Sequence, residues 1–149
     1  MEEFWLQLLN NKVLWVTLIT WIITQGLKIT ISVVRERRFN FYWLVSTGGM
    51  PSSHSAGVVA LAVGIGKTLG FGSPMFALAC IFALVTMFDA QTWRRSVGVQ
   101  ARILNRMIDD LHEHKKITDD KLKELMGHTP IEVFIGALIG ITVSLILYQ

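Results

Sequence analysis

The sequence predicts an all-α integral membrane bundle of about four transmembrane helices, one domain over residues 1–149, with a cytoplasmic amphipathic helical insertion. Three observations predict it. Hydrophobic residues make up 52% of the 149 residues and mean hydropathy is +0.47, too apolar for a typical soluble domain. Four apolar runs recur, at residues 13–34, 54–71, 75–88 and 131–148. The basic residues behind the net charge of +3 cluster between those runs, which suits anionic lipid headgroups and not nucleic acid, for which no aromatic-plus-basic motif is present.

The first run is long enough to cross a hydrocarbon layer of roughly 30 Å, and Trp15 and Trp21 lie within it. Glu2 and Glu3 precede it where a secretory leader would be positive, and no small-residue cleavage site follows, so the run is expected to be retained. Its anomaly is Lys28. A lysine at the bilayer centre costs about 2.5 kcal/mol or more, so Lys28 either snorkels to the surface or faces a polar interior, with Gln25 on the same face. Arg35, Arg37 and Arg38 then mark a membrane boundary, with Tyr42 and Trp43 as interfacial anchors.

Residues 48–56 read Gly-Gly-Met-Pro-Ser-Ser-His-Ser-Ala. The glycine pair permits a tight turn, Pro51 suits a first helical turn, and Ser52, Ser53 and His54 follow where backbone N–H groups have no helical acceptor. Such a start favours an anion, or is an ordinary helix entry capped by serine. The run that follows carries Ala56, Gly57, Ala60, Ala62, Gly64 and Gly66, which lets helices approach closely, and Lys67 is expected to snorkel to the opposite surface. Phe71-Gly72-Ser73-Pro74 turns the chain into the third run, forming a helical hairpin; Cys80, the single cysteine, lies inside it and has no partner for an intramolecular disulfide.

Residues 89–127 are polar, but Val99, Ile103, Leu104, Met107, Ile108 and Leu111 recur at helical spacing, so an amphipathic surface helix is expected there. A short helix over 119–126, capped by Thr118, follows. His112 and His114 stand two apart and point to different helix faces, which argues against a metal pair. The fourth run opens with His128-Thr129-Pro130 and Glu132 and carries Gly136 and Gly140. Four spans put loops 35–53 and 89–127 on one side, and their arginines place that side in the cytoplasm, although Lys12 at the other end weighs slightly against it.

This topology gathers Lys28, Arg35, Ser52, Ser53, His54, Asp89, Arg94, Arg95, His128 and Glu132 at one membrane face. Cations and a helix start make a phosphate-sized cradle, and two histidines supply a nucleophile and a proton donor.

Those residues carry a resemblance. Lys28 with Arg35 after six intervening residues, Pro51-Ser52-Ser53-His54, and His128 with Glu132 resemble the three motifs of the type-2 phosphatidic acid phosphatase superfamily. The similarity is to its divergent small bacterial and plant branch, related to acid phosphatases and vanadium haloperoxidases. Glu36 stands for the proline of the first motif, Ser53 for the glycine of the second and Glu132 for the aspartate of the third. The third-motif arginine is absent, since Leu122 holds its place, and Arg94 or Arg95 is the expected substitute.

The resemblance implies a metal-independent, cofactor-free lipid-phosphate phosphatase in the cell membrane. Its substrate would be a phosphomonoester such as phosphatidylglycerol phosphate, phosphatidic acid or an isoprenyl phosphate or diphosphate. His128 would attack phosphorus, Glu132 orient the ring, and His54 protonate the leaving alkoxide. Lys28, Arg35, Ser52, Ser53 and Arg94 or Arg95 would hold the phosphate oxygens, with Asp89 orienting an arginine or capping a helix. Four spans are fewer than the six helices usual for that superfamily, so a reduced bundle or a homodimer through glycine-rich faces is expected. The alternative is a protein that binds or translocates a lipid phosphate without turnover; vanadate-dependent oxidation has no supporting feature.

Overall fold

The computed structural model describes residues 1–44, 49–112 and 128–149, with the backbone alone at Tyr42, Leu44, 93–96 and 110–112. The described residues are helical throughout: α1 (Glu2–Leu9), α2 (Lys12–Glu36), a 3-10 turn (Phe41–Leu44), α3 (Ser53–Leu69), α4 (Pro74–Gln91), α5 (Trp93–His112) and α6 (Pro130–Leu147). Helices α2, α4 and α6 are each long and apolar enough to cross a membrane. Helix α3, expected as the second span, has 17 residues and rises about 26 Å, and it is the element against which α2, α4 and α6 all pack.

The caps show why the helices begin where they do. Asn11 accepts the Leu14 N–H at 3.0 Å to start α2, and Ser73 accepts the Phe76 N–H at 3.2 Å to start α4 with Pro74 at its first position. Ser52 accepts the Ser55 N–H at 3.3 Å to start α3. Pro51 therefore precedes the helix instead of occupying its first turn, and the Met50–Pro51 peptide is cis. Two further boundaries differ from expectation. Residues 2–9 form a separate short helix ahead of the first span, and residues 89–91 complete α4 instead of opening the insertion. The expected helix over 119–126 and its cap Thr118 lie outside the described residues.

Chain direction alternates through α2, α3, α4 and α6, so the end of α2, the start of α3, the end of α4 and the start of α6 share one end of the bundle. Small residues form the core. Helix α3 buries Ala56, Gly57, Ala60, Ala62, Gly64 and Gly66, and α4 buries Ala79, Ala83 and Ala90. Leu78, Ile81, Phe82, Leu84, Val85 and Phe88 of α4 are more than half exposed, which is the inverse of a soluble core and suits a lipid solvent.

Helix α6 lies closest to α3. A Cβ at Gly136 would overlap the Ser52 carbonyl oxygen, and one at Gly140 would stand 2.5 Å from the Ala56 carbonyl oxygen. Gly136, Gly140 and the fully buried Ser144 recur every four residues along this seam. The glycine faces expected to mediate a dimer are thus occupied within one chain.

Gly136→Leu and Gly140→Leu are expected to destabilise the bundle by about 1–3 kcal/mol or more through overpacking. Gly26→Ala, at a helix-interior position with no neighbour within 4 Å of a Cβ, is expected to stabilise by about 0.5–1 kcal/mol. Denaturant unfolding in detergent micelles, followed by tryptophan fluorescence, measures the difference.

Candidate functional site

Three helix ends are tied together by backbone hydrogen bonds. The Ser52 N–H donates to the Glu132 carbonyl at 3.1 Å, joining the start of α3 to the first turn of α6. The His128 N–H donates to the Ala90 carbonyl at 3.0 Å, joining the lead-in of α6 to the end of α4. The end of α2 joins them through the loop: Gln25 donates from Nε2 to the Trp43 carbonyl at 3.1 Å, and Gly49 lies over the Lys28 stem, with a Cβ there 3.5 Å from Lys28 Cε. Gly49 has φ of 86°, a left-handed conformation that favours glycine.

Helix α6 starts with a capping box. The Thr129 hydroxyl accepts the Glu132 N–H at 3.3 Å, and Glu132 Oε2 accepts the Thr129 N–H at 3.0 Å. The same carboxylate oxygen meets His128 Nδ1 at 3.1 Å. A carboxylate only accepts, so Nδ1 carries a proton. His128 is 3% exposed, and Glu132 is half-buried beside it. The His54 ring, half-buried on the first turn of α3, lies 6.2 Å from the His128 ring, centroid to centroid, and is tilted by 59°.

Lys28 is buried, 4% exposed, on a line with Val16, Thr20 and Thr24 along α2. It faces the protein interior and does not snorkel. Thr20 and Thr24 satisfy their own hydroxyls on the carbonyls one turn back, at 2.7 Å each. Ser52 and Ser53 are buried at the start of α3, and Ser52 also accepts from the Ser55 hydroxyl at 3.0 Å. Its lone pairs serve the cap, and its own O–H remains a donor.

Ser52, Ser53, His54, His128 and Glu132 are therefore brought together, and Lys28 is buried at the same end of the bundle. Arg35 lies two turns beyond Lys28 and is exposed, and Asp89 is exposed within the last turn of α4. Arg94 and Arg95 fall in the first turn of α5, next to the end of α4; their side chains, and those of His112 and His114, lie outside the described residues. An apolar groove of about 270 Å³ between α3 and α4, lined by Leu61, Ile65, Met75, Leu78, Ala79 and Phe82, sits toward the other end of the hairpin and is lined by no polar side chain.

The Divergent PAP2 family matches residues 9–143. The chain belongs to the Divergent PAP2 family. It is 41% identical over 153 residues to the uncharacterized membrane protein YuiD of Bacillus subtilis (strain 168), a match that covers 95% of this chain and 97% of that protein. No solved structure matches the chain. Membership agrees with the apolar helices: this is a membrane protein.

Some site residues carry signals that the sequence reading did not use. Thr129-Pro130-Ile131-Glu132 has the spacing of a capping box with proline at its first helical position. The Ala90 and Glu132 carbonyls act through the backbone and carry no side-chain signal.

Thr129→Ala is expected to cost about 1 kcal/mol of stability through the lost cap. Glu132→Ala is expected also to release His128 from its single tautomer. Imidazole nitrogen chemical shifts from histidine-labelled protein would then move from an Nδ1–H pattern to a mixture of both tautomers.

Proposed function

We propose that this member of the family is a lipid-phosphate phosphatase that works through a phosphohistidine. The observation that carries the reading is the buried His128–Glu132 pair facing His54, with Lys28 buried at the same end of the bundle. A buried lysine and a buried, carboxylate-bound histidine are costly in an apolar bundle, and concave sites at a membrane face are where such groups earn retention.

In the proposed reaction Nε2 of His128 attacks phosphorus, forming the N–P bond as the P–O bond to the lipid alcohol breaks. Glu132 holds the Nδ1 proton and stabilises the positive ring. His54 gives its proton to the leaving alkoxide. The spacing of the two rings lets them work on opposite sides of one phosphoryl group. In the second half His54 takes a proton from water, which attacks phosphorus and releases inorganic phosphate from His128. Lys28, the Ser52 and Ser53 hydroxyls and the positive end of α3 neutralise charge on the equatorial oxygens, joined by Arg35 and by Arg94 or Arg95, with Asp89 beside them. The chemistry needs no metal.

The substrate class is a phosphomonoester carried on a lipid: phosphatidylglycerol phosphate, phosphatidic acid or an isoprenyl phosphate or diphosphate. The site residues lie at the end of the bundle where Arg35, Arg37 and Arg38 are exposed, and the exposed Arg102 and Arg106 follow on α5, which supports a cytoplasmic orientation in the cell membrane with α3 as the fourth crossing helix. A cytoplasmic site favours a lipid made on that side, and phosphatidylglycerol phosphate is the first to assay.

Purified protein is expected to release phosphate from at least one of these lipids in detergent micelles. His128→Ala should abolish release, and His54→Ala should slow it by about 10²–10⁴-fold as for loss of a general acid. No release from any lipid, or equal release by wild type and both variants, overturns the enzyme. Saturable binding of the same lipids without release would instead establish the non-catalytic binding protein.

A further inference from the structure

Helix α5 has three faces where an ordinary surface helix has two. At about 100° per residue, Gly98, Ala101 and Asn105 fall on one arc and are buried, with Asn105 6% exposed. Arg102, Arg106 and Asp109 fall on a second arc and are exposed. Val97, Ile103, Leu104 and Met107 form a third, and they are 45%, 48%, 47% and 55% exposed. Gln100 is the one polar residue on this third arc among the described positions. A helix with one face on protein, one on water and one uncovered apolar face fits the line where protein, lipid and water meet.

We propose that α5 lies in the plane of the membrane, with Ile103, Leu104 and Met107 in the boundary between acyl chains and headgroups and with Arg102 and Arg106 on anionic headgroups of the same leaflet. Continuity with the bundle supports the bilayer as occupant. Helix α5 begins two residues after α4 ends, and α4 keeps apolar side chains exposed up to Phe88, 64% exposed, so α5 starts at the level where the apolar layer stops. Charge complementarity supports an anionic surface. Arg102 and Arg106 flank the apolar arc, and Arg35, Arg37 and Arg38 are exposed at the end of α2, at the same end of the bundle. The small inner residues Gly98 and Ala101 let α5 stay flush with the protein while the apolar arc points sideways into lipid. The helix would then form a rim beside the site end of the bundle.

The test uses the full chain with Cys80→Ser, in vesicles of equal parts phosphatidylcholine and phosphatidylglycerol. Nitroxides are attached at Ile103→Cys, Leu104→Cys, Met107→Cys and, for comparison, Asp109→Cys. Collision with oxygen is expected to exceed collision with a water-soluble nickel chelate at the first three positions, and the reverse at Asp109→Cys. Nickel access at all four overturns the proposal. So does exclusion of both reagents from the first three, which would reveal a second copy or another protein on this face.

A fluorophore on Met107→Cys reads the charge. Brominated phosphatidylglycerol should quench it more than brominated phosphatidylcholine, and Arg102→Gln with Arg106→Gln should remove an advantage of about fivefold per arginine. Equal quenching by the two lipids in the arginine-containing protein overturns the anionic preference. These positions are exposed, and an unaltered unfolding transition for each variant checks that the fold is kept.

Discussion

Helix α6 lies backbone to backbone against α3 because residues 136 and 140 have no side chain, and the position of His128 follows from that approach. With any Cβ at those positions the first turn of α6 would be pushed off the Ser52 carbonyl. The Ser52 N–H could then no longer reach the Glu132 carbonyl, and the two histidine-bearing helix starts would separate. In a membrane the hydrophobic effect does not drive helices together, so close packing and interhelical hydrogen bonds have to. The seam of Gly136, Gly140 and Ser144 against Ser52 and Ala56 provides the first, and the Ser52 and His128 amides provide the second.

The same approach explains why polar groups are tolerated at one end of an otherwise apolar bundle. Glu132 shares one carboxylate oxygen between the Thr129 N–H and His128 Nδ1, so capping the helix and orienting the imidazole are one interaction. Ser52 serves likewise as the cap of α3 and as the backbone tie to α6. Lys28 is buried with Gly49 over its stem, at the end of the bundle where α3 starts.

The fold was largely legible because its elements are long and uniformly apolar. Residues 13–34, 75–88 and 131–148 became Lys12–Glu36, Pro74–Gln91 and Pro130–Leu147, differing by a turn or less at each end. Lys28 stood out because a charge inside an apolar run needs a reason, and His128 with Glu132 because one helical turn separates them. Other features depend on three-dimensional placement. Composition distinguishes neither a dimer seam from an internal one nor a snorkelling lysine from a buried one. Pro51 suggests the first turn of α3, but Ser52 holds the cap, so the helix starts two residues later. Helix α5 showed an apolar period of its own. The division of its remaining residues into a buried arc of small side chains and an exposed arc of arginines emerges only from its packing.

The central claim is that His128 becomes covalently phosphorylated, and trapping the phosphoenzyme tests it most directly. Protein is mixed with a lipid phosphate carrying radioactive phosphorus, quenched within the first turnovers and separated under alkaline conditions. Label that survives alkali, is lost in acid and is absent from His128→Ala, while present in the distant control Lys67→Ala, is the predicted result. Label retained by His128→Ala, or phosphate release by a wild-type protein that never carries label, would contradict it.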